Sequence, residues 1–77
     1  MAMLVFLGRL ADLAGGPARE VMGGPLDSVL AGLEPDLALA LLDERVRIAL
    51  NGELVGERSI TLQAGDELAF LPPVSGG

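Results

Sequence analysis

The stretch VRIALNGELV, residues 46–55, decides how this chain folds. Apolar side chains occupy every second position of its first half, at Val46, Ile48 and Leu50, which is the period of a β-strand. Asn51-Gly52 follows, the strongest short signal for a hairpin turn, because both central positions of that turn need φ > 0. We therefore predict that residues 53–55 return antiparallel to the first half.

Further extended segments are predicted on both sides of this hairpin. Runs of strand length, bounded by glycine or proline, lie at residues 3–7, 18–22 and 67–71, and a shorter extended piece lies at 60–62. The first two are expected to pair as a hairpin. The last ends at Pro72-Pro73, because proline cannot donate to a strand ladder.

Helical spacing is found in the middle of the chain. Residues 25–33 carry apolar side chains at i, i+3, i+4 and i+7 with a proline in the first turn, residues 36–42 are rich in Leu and Ala, and residues 9–13 suit a short helical turn. The order β-β-α-(α)-β-β-β places the helices on one face of a mixed sheet. This is an α+β arrangement, and it suits the β-grasp (ubiquitin-like) fold.

The composition indicates one small domain that depends on partners for chemistry. The 77 residues are 51% hydrophobic with two phenylalanines, enough for a single aliphatic core; residues 72–77 are expected to form an extended C-terminal tail on the domain 1–77. The chain has no Cys and no His, which removes thiolate nucleophiles, catalytic triads and the usual zinc sites. We expect no metal site, no bound cofactor and no catalysis by the chain alone.

The net charge of the chain indicates which kinds of partner it can bind. The net charge is −6, and the five basic residues are all arginines, scattered along the chain. Nucleic acids and anionic membranes are therefore not expected as partners, since both need clustered positive charge, and a protein with a basic docking face is favoured. The apolar N-terminal run stops at Gly8 without a positive flank, too short for a membrane span or a signal peptide. A cytoplasmic location is the expectation.

Strand alternation places several apolar side chains on the sheet face that has no helix. They are Val5, Leu7, Ala49, Ala69 and Leu71, and Leu54 is expected nearby across the hairpin. An exposed apolar patch usually marks an interaction surface, so we predict that these side chains bind a partner. The pattern leaves open a parity shifted by one residue, or a loop that covers the patch.

The C-terminal tail is the second candidate site, formed by Pro72, Pro73, Val74, Ser75, Gly76 and Gly77. Two prolines stiffen its base, and glycines without Cβ suit a narrow channel. The Gly77 carboxylate, with a pKa of about 3.5, is a poor electrophile until it is activated. Adenylation by ATP followed by sulfide would convert it into a thiocarboxylate. A glycine-rich terminus without function is the alternative.

A family resemblance rests on these same residues. FLPPVSGG (70–77), preceded by GDELA (65–69), resembles the C-terminal signature of the small subunit of molybdopterin synthase, the MoaD family. The likeness extends through LVFL (4–7), the turn at residues 9–15 and ALNGELV (49–55). It therefore covers nearly the whole chain.

The resemblance implies a sulfur carrier. In such a cycle a MoeB-type adenylyltransferase uses ATP to activate Gly77, and a sulfurtransferase system converts it into a thiocarboxylate. The tail then enters the large subunit (MoaE type), which passes the sulfur to cyclic pyranopterin monophosphate for molybdenum cofactor biosynthesis; the complex is a heterotetramer. The family's docking positions fall on Leu7, Leu54 and Leu71 here, where relatives often carry aromatic residues at the first and third. Arg58 is a further candidate for the interface.

Three alternatives remain at this point. A ThiS-type carrier for thiamin thiazole synthesis has the same fold and activation chemistry, but usually lacks the double proline. A ubiquitin-like protein modifier would form isopeptide bonds with other proteins. A plain binding module would carry an idle tail.

Overall fold

The computed structural model describes residues 1–73. Seven strands and three helices are present in this range. The strands are β1 Ala2–Phe6, β2 Ala18–Val21, β3 Gly24–Pro25, β4 Arg47–Leu50, β5 Glu53–Val55, β6 Thr61–Leu62 and β7 Glu67–Leu71. The helices are α1 Arg9–Ala14, α2 Leu26–Ala31 and α3 Pro35–Leu42.

Five of the strands form one mixed sheet in the order β2-β1-β7-β4-β5. The two central strands, β1 and β7, are parallel, and the other neighbours are antiparallel. β3 and β6 form a separate two-stranded pair. The last described strand, β7, therefore lies in the middle of the sheet, and Pro72 and Pro73 follow directly from it.

The core lies between this sheet and the helices. Leu4, Phe6, Leu68 and Phe70 on the two central strands are at most 1% exposed. The rings of Phe6 and Phe70 stack with centroids 5.8 Å apart and an interplanar angle of 12°. The helices complete the core with Leu10, Leu26, Val29, Leu30, Leu37 and Leu41. The predicted strand parity is confirmed, because every second residue of β1 and β7 is buried.

The predicted hairpin at residues 51–52 is confirmed. Asn51 has φ 50° and Gly52 has φ 88°, as a two-residue turn with two positive φ angles requires. The Asn51 side chain also bonds forward, since its amide donates to Asp66 Oδ1 at 3.0 Å and its oxygen accepts from the Glu67 backbone N–H at 2.9 Å. These bonds fix the hairpin to the start of β7. The Asn51 hydrogen bond, followed by that from the Gln63 backbone, lowers the pKa of Asp66.

The sequence prediction differs from the structure in two elements. The predicted helix at 25–33 is shorter, because Pro25 pairs with Thr61 in the β3–β6 ladder and the helix begins at Leu26 and ends at Ala31. The β3 strand was not predicted at all. The short helical turn at 9–13 and the helix at 36–42 are confirmed as α1 and α3.

The β-grasp prediction is correct, since the helices cover one face of the mixed sheet. The predicted tail is described only through Pro73; Val74, Ser75, Gly76 and Gly77 lie outside the described residues. Within residues 1–73, no helix has the length and apolar character needed to cross a membrane.

Candidate functional site

A row of small and aliphatic side chains crosses the sheet face that carries no helix. The strand register places Val5 opposite Ala69, Ala69 opposite Ala49, and Ala49 opposite Leu54. These four residues come from four adjacent strands, so they lie side by side on one face. The sequence prediction that they share a face is confirmed. Their contact with a partner stays a prediction.

Leu7 and Leu71 extend this row toward the end of β7. The Leu7 backbone N–H donates to the Phe70 carbonyl at 3.1 Å, which holds Leu7 beside the end of that strand. Leu71 lies opposite Arg47 on β4, and the Arg47 side chain is exposed. We call the six residues Val5, Leu7, Ala49, Leu54, Ala69 and Leu71 the open-face patch.

The open-face patch is exposed enough to be a docking surface. Leu54 is 62% exposed and Leu7 is 42% exposed, while the other four are half-buried by their neighbours. Burying a leucine side chain is worth about 1.5–3 kcal/mol. Burial of these two side chains by a partner can therefore contribute a few kcal/mol to a contact. The exposure of Leu7 and Leu54 shows that no described loop covers these two side chains.

The base of the tail lies at the edge of a groove on the helical side. Pro72 and Pro73 are half-buried and line a groove of about 220 Å³. The other walls come from α1, α3 and the segment before β4, with Arg9, Leu10, Leu13, Ala40, Asp43 and Val46. The prolines thus rest against the helices before the chain leaves the described residues. The fold therefore sets the position at which the tail leaves the domain.

Gly8 makes that packing possible. It has φ +57°, and a Cβ at this position would lie 3.1 Å from Pro72 Cγ. Its ψ of −137° puts the backbone in a region that is essentially reserved for glycine. The turn that joins β1 to α1 therefore packs tightly against Pro72, the first proline of the tail.

Replacing this glycine should loosen the fold at the base of the tail. Gly8→Ala is expected to lower the free energy of unfolding by about 1–3 kcal/mol, because alanine is strained at this φ and its methyl group meets Pro72. Chemical denaturation followed by circular dichroism measures the change. Gly16→Ala is the matched control, since a Cβ there has no neighbour within 4 Å, and it should stay within about 0.5 kcal/mol of the parent. Equal losses in both variants would contradict this role of Gly8.

Arg58 is not part of the open-face patch. Its guanidinium donates to the carbonyls of Leu41 at 2.6 Å, Val46 at 2.6 Å and Asp43 at 3.3 Å. These hydrogen bonds pair carbonyl oxygens at the C-terminal end of α3 and in the turn into β4. The last carbonyls of a helix have no partner within the helix itself. The structure gives Arg58 a structural role on the helical side. Contact between Arg58 and a partner stays a prediction.

Several titratable groups have pKa values shifted by hydrogen bonds to neighbouring residues: Glu34 is exposed, and Asp43 and Asp66 are half-buried. Hydrogen bonds from Arg45 lower the pKa of Asp43 to about 2, and the hydrogen bond from Arg19 lowers the pKa of Glu34. Among residues 1–73, no group of three Asp or Glu side chains is arranged to hold a metal ion. What the described residues offer is a binding surface and a fixed base for the tail.

Two features of this site were not predicted from the sequence. The contact of Gly8 with Pro72 joins opposite ends of the chain, and the groove under the prolines is built by three separate segments. Glycine directly after a strand indicates a turn, but not its dihedral angles or its neighbour.

A mixed sheet with helices on one face, a free apolar face and a last strand in the centre defines a small ubiquitin-like β-grasp protein. The sequence model of the ThiS family matches residues 4–77. The chain belongs to the ThiS family.

Two curated relatives are similar in sequence. The molybdopterin synthase sulfur carrier subunit of Escherichia coli is 35% identical over an alignment of 82 positions that covers all of both chains. The molybdopterin synthase sulfur carrier subunit of Emericella nidulans is 42% identical over 40 residues, which cover 52% of this chain and 44% of that relative. The match therefore spans less than half the length of the second relative.

Two solved structures share the fold across nearly the whole chain. The small archaeal modifier protein 1 of Methanosarcina acetivorans superimposes with a TM-score of 0.79 at 26% identity, covering 99% of this chain and 95% of that one. Subunit 1 and subunit 2 of the molybdopterin-converting factor of Helicobacter pylori form a complex, and the matching chain has a TM-score of 0.65 at 25% identity, with 99% and 97% covered.

Proposed function

We propose that this chain is the sulfur carrier subunit of a molybdopterin synthase. The observation that carries the proposal is the similarity to the sulfur carrier subunit of Escherichia coli along the entire chain. The open-face patch, with its two exposed leucines, supports it because a carrier has to be recognised by other proteins. The reactive group is the carboxylate of Gly77.

The chemistry explains why several partners are needed. The ionised carboxylate attacks the α-phosphorus of ATP in an adenylyltransferase of the MoeB type, which forms an acyl adenylate and releases pyrophosphate. A sulfurtransferase system then supplies sulfur at the level of sulfide, which attacks the carbonyl carbon; the bond between that carbon and the phosphate oxygen breaks, AMP leaves, and the S–H proton is released to solvent. The resulting thiocarboxylate donates its sulfur to cyclic pyranopterin monophosphate. ATP is a substrate of the activating enzyme and is not held by this chain.

The geometry fits delivery into a second protein. The six residues from Pro72 to Gly77 span about 20 Å when fully extended, at about 3.3–3.6 Å per residue. A partner that docks on the open-face patch beside Leu71, with an active site within about 20 Å of Pro72, is therefore within reach of the tail. We propose that this partner is the large synthase subunit, of the MoaE type, in a heterotetramer of two carriers and two large subunits. The complex of the two Helicobacter pylori subunits supports this pairing.

A charge placed in the open-face patch should weaken this docking. Leu71→Asp is expected to reduce affinity for the large subunit by about 10–100-fold, because a carboxylate would be buried where an aliphatic side chain was. Titration calorimetry with the purified large subunit measures the change. Leu54→Asp should have a similar effect at a position that is 62% exposed in the free chain.

Leu39→Asp is the matched control for these two variants. Leu39 is a leucine of α3 on the helical side, 69% exposed, so its replacement adds the same charge outside the patch. It should leave the affinity within about twofold. Affinities that fall equally in all three variants, or in none, would contradict docking through the patch.

Two other functions, a sulfur carrier for thiamin synthesis and a protein modifier, remain as second candidates, each with one observation in its favour. The family match names ThiS, which favours a donor of sulfur to the thiazole of thiamin. The likeness to the small archaeal modifier protein 1 favours attachment to lysines of other proteins.

One experiment separates these functions. The thiocarboxylated chain is offered, in parallel, to a molybdopterin synthase large subunit with its pyranopterin substrate and to a thiazole synthase with its substrates. The proposal predicts dithiolene formation in the first mixture and little product in the second. Efficient thiazole formation alone would overturn it, and covalent addition of the chain to protein lysines in a lysate, without dithiolene formation, would support the modifier.

A further inference from the structure

The sheet has an open edge at β2, on the side away from the hairpin at residues 51–52. β2 is the terminal strand and pairs only with β1. The Phe6 N–H donates to the Pro17 carbonyl at 2.8 Å. The backbone N–H and C=O groups of Arg19 and Val21, two and four residues later, therefore point toward β1. Antiparallel geometry then directs the N–H and C=O groups of Ala18 and Glu20 away from the sheet. An edge of this kind is a template for another strand.

A groove runs along this edge, between β2 and α2. Its volume is about 480 Å³, and its apolar walls include Val21, Met22, Val29 and Leu33. Met22 is 78% exposed, whereas Val29 is buried and forms part of the floor. The side chains of Arg19 and Val21 lie on the helical side of the sheet, because they pair with the buried Leu4 and Ala2. Every second side chain of an added strand would therefore point into the groove.

The charged residues beside the groove indicate which side chains suit the remaining positions of the added strand, those that face away from the groove. Glu20 is exposed and borders the groove, and the alternation of β2 directs its side chain to the opposite face of the strand from Arg19 and Val21. Arg19 already donates to Glu34 at 2.6 Å and to the Ala14 carbonyl at 2.9 Å, so its positive charge is largely satisfied. A basic residue opposite Glu20, with an aliphatic residue on each side of it, matches this edge.

We infer that the β2 edge and its groove bind an extended segment of a partner protein with alternating aliphatic and basic residues, which adds a strand to the sheet. Main-chain hydrogen bonds to Ala18 and Glu20 give the affinity, and the groove selects the aliphatic side chains. This site lies on the opposite edge of the sheet from Leu54 and does not use the tail. It is independent of the proposed sulfur carrier function.

A second copy of this chain is a poor occupant of the edge. In a dimer with a two-fold axis normal to the sheet, the two β2 strands pair antiparallel. Residues that lie opposite each other must then have their side chains on the same face, which limits the possible registers. The two such registers with the greatest overlap are centred on Arg19 or on Glu20. Each places a charged residue directly opposite the same residue of the other copy, which is destabilising.

The test uses the full chain and a synthetic peptide of alternating character, acetyl-Ser-Gly-Val-Arg-Val-Arg-Val-Gly-Ser-amide. Fluorescence anisotropy of a labelled form should give saturable binding tighter than about 1 mM. Amide resonances of residues 18–22 and 28–33 should shift in the ¹⁵N spectrum. A peptide N-methylated at both arginines should bind about tenfold more weakly, because it cannot donate to the Ala18 and Glu20 carbonyls.

Variants of the chain separate the contributions of backbone, charge and groove. Glu20→Pro removes one outward N–H at an edge position that tolerates proline and should reduce binding about tenfold. Glu20→Gln should reduce it about threefold and weaken its salt dependence. Ser28→Tyr fills the groove and should also cost about tenfold, whereas Ala31→Tyr, on the same helix outside the groove, should have no effect.

Several results would overturn the inference. They are no binding up to about 1 mM peptide, equal binding of the N-methylated peptide, or resonance shifts at Val5 and Leu54 in place of the β2 edge. Concentration-dependent dimerisation of the peptide-free chain through β2 would assign the edge to a second copy. If Glu20→Pro does not fold, the N-methylated peptide and Ser28→Tyr still decide the question.

Discussion

Deletion of Gly77 is expected to abolish sulfur transfer while leaving affinity for the large subunit within about threefold. The shortened chain still carries a glycine carboxylate, on Gly76, but that group falls short by about 3.3–3.6 Å. A displacement of even 1 Å at a reacting atom can cost about 100-fold in rate. The docking patch is untouched, so binding should persist. Single-turnover formation of dithiolene measures the transfer, and titration calorimetry measures the binding.

Gly77→Ala is the matched control for this deletion. It keeps the length of the chain and its carboxylate and adds one methyl group to the last residue. Loss of transfer in both variants indicates a channel that admits only glycine, whereas loss in the deletion alone indicates that reach is the requirement. Transfer at the parent rate by the deleted chain would contradict Gly77 as the reactive residue.

Phe70→Ala should have the largest effect on stability. Phe70 is fully buried and stacks on Phe6 between the two central strands, so truncation leaves a cavity where the sheet meets the helices. Such substitutions cost about 3–5 kcal/mol. Small domains have only about 5–15 kcal/mol in total. We therefore expect the variant to lose a substantial part of its free energy of unfolding.

Denaturation by urea, followed by circular dichroism, checks this expectation. Leu39→Ala is the control, because Leu39 is 69% exposed, and its loss should stay within about 0.5 kcal/mol. A cost below about 1 kcal/mol for Phe70→Ala would mean that the aromatic pair is not central to the core.

The parts of the fold that follow from local periodicity could be predicted from the sequence. The alternation of β4 and the Asn51-Gly52 turn determined the hairpin, and the same alternation in β1 and β7 placed Val5, Leu7, Ala69 and Leu71 on the open face. A period of two fixes which side chains share a face once one face is known to be buried. For that reason the open-face patch follows from the sequence alone.

Contacts between distant segments could not be predicted in this way. The β3–β6 pair joins two segments of two residues each, too short for any periodicity, and Gly24-Pro25 has the composition of a turn. The three carbonyl partners of Arg58 lie 12–17 residues before it, and an isolated arginine carries no signal of such bonds. The contact of Gly8 with Pro72 and the groove beside β2 likewise exist only after the chain has folded.

The most direct test of the central claim is the intact mass of the chain after incubation with a MoeB-type adenylyltransferase, ATP and a sulfur donor. We predict a gain equal to the replacement of one oxygen by one sulfur, located at Gly77 by fragmentation and absent when ATP is omitted. An unchanged mass under conditions that convert a known carrier, or a gain located at any other residue, would contradict the account.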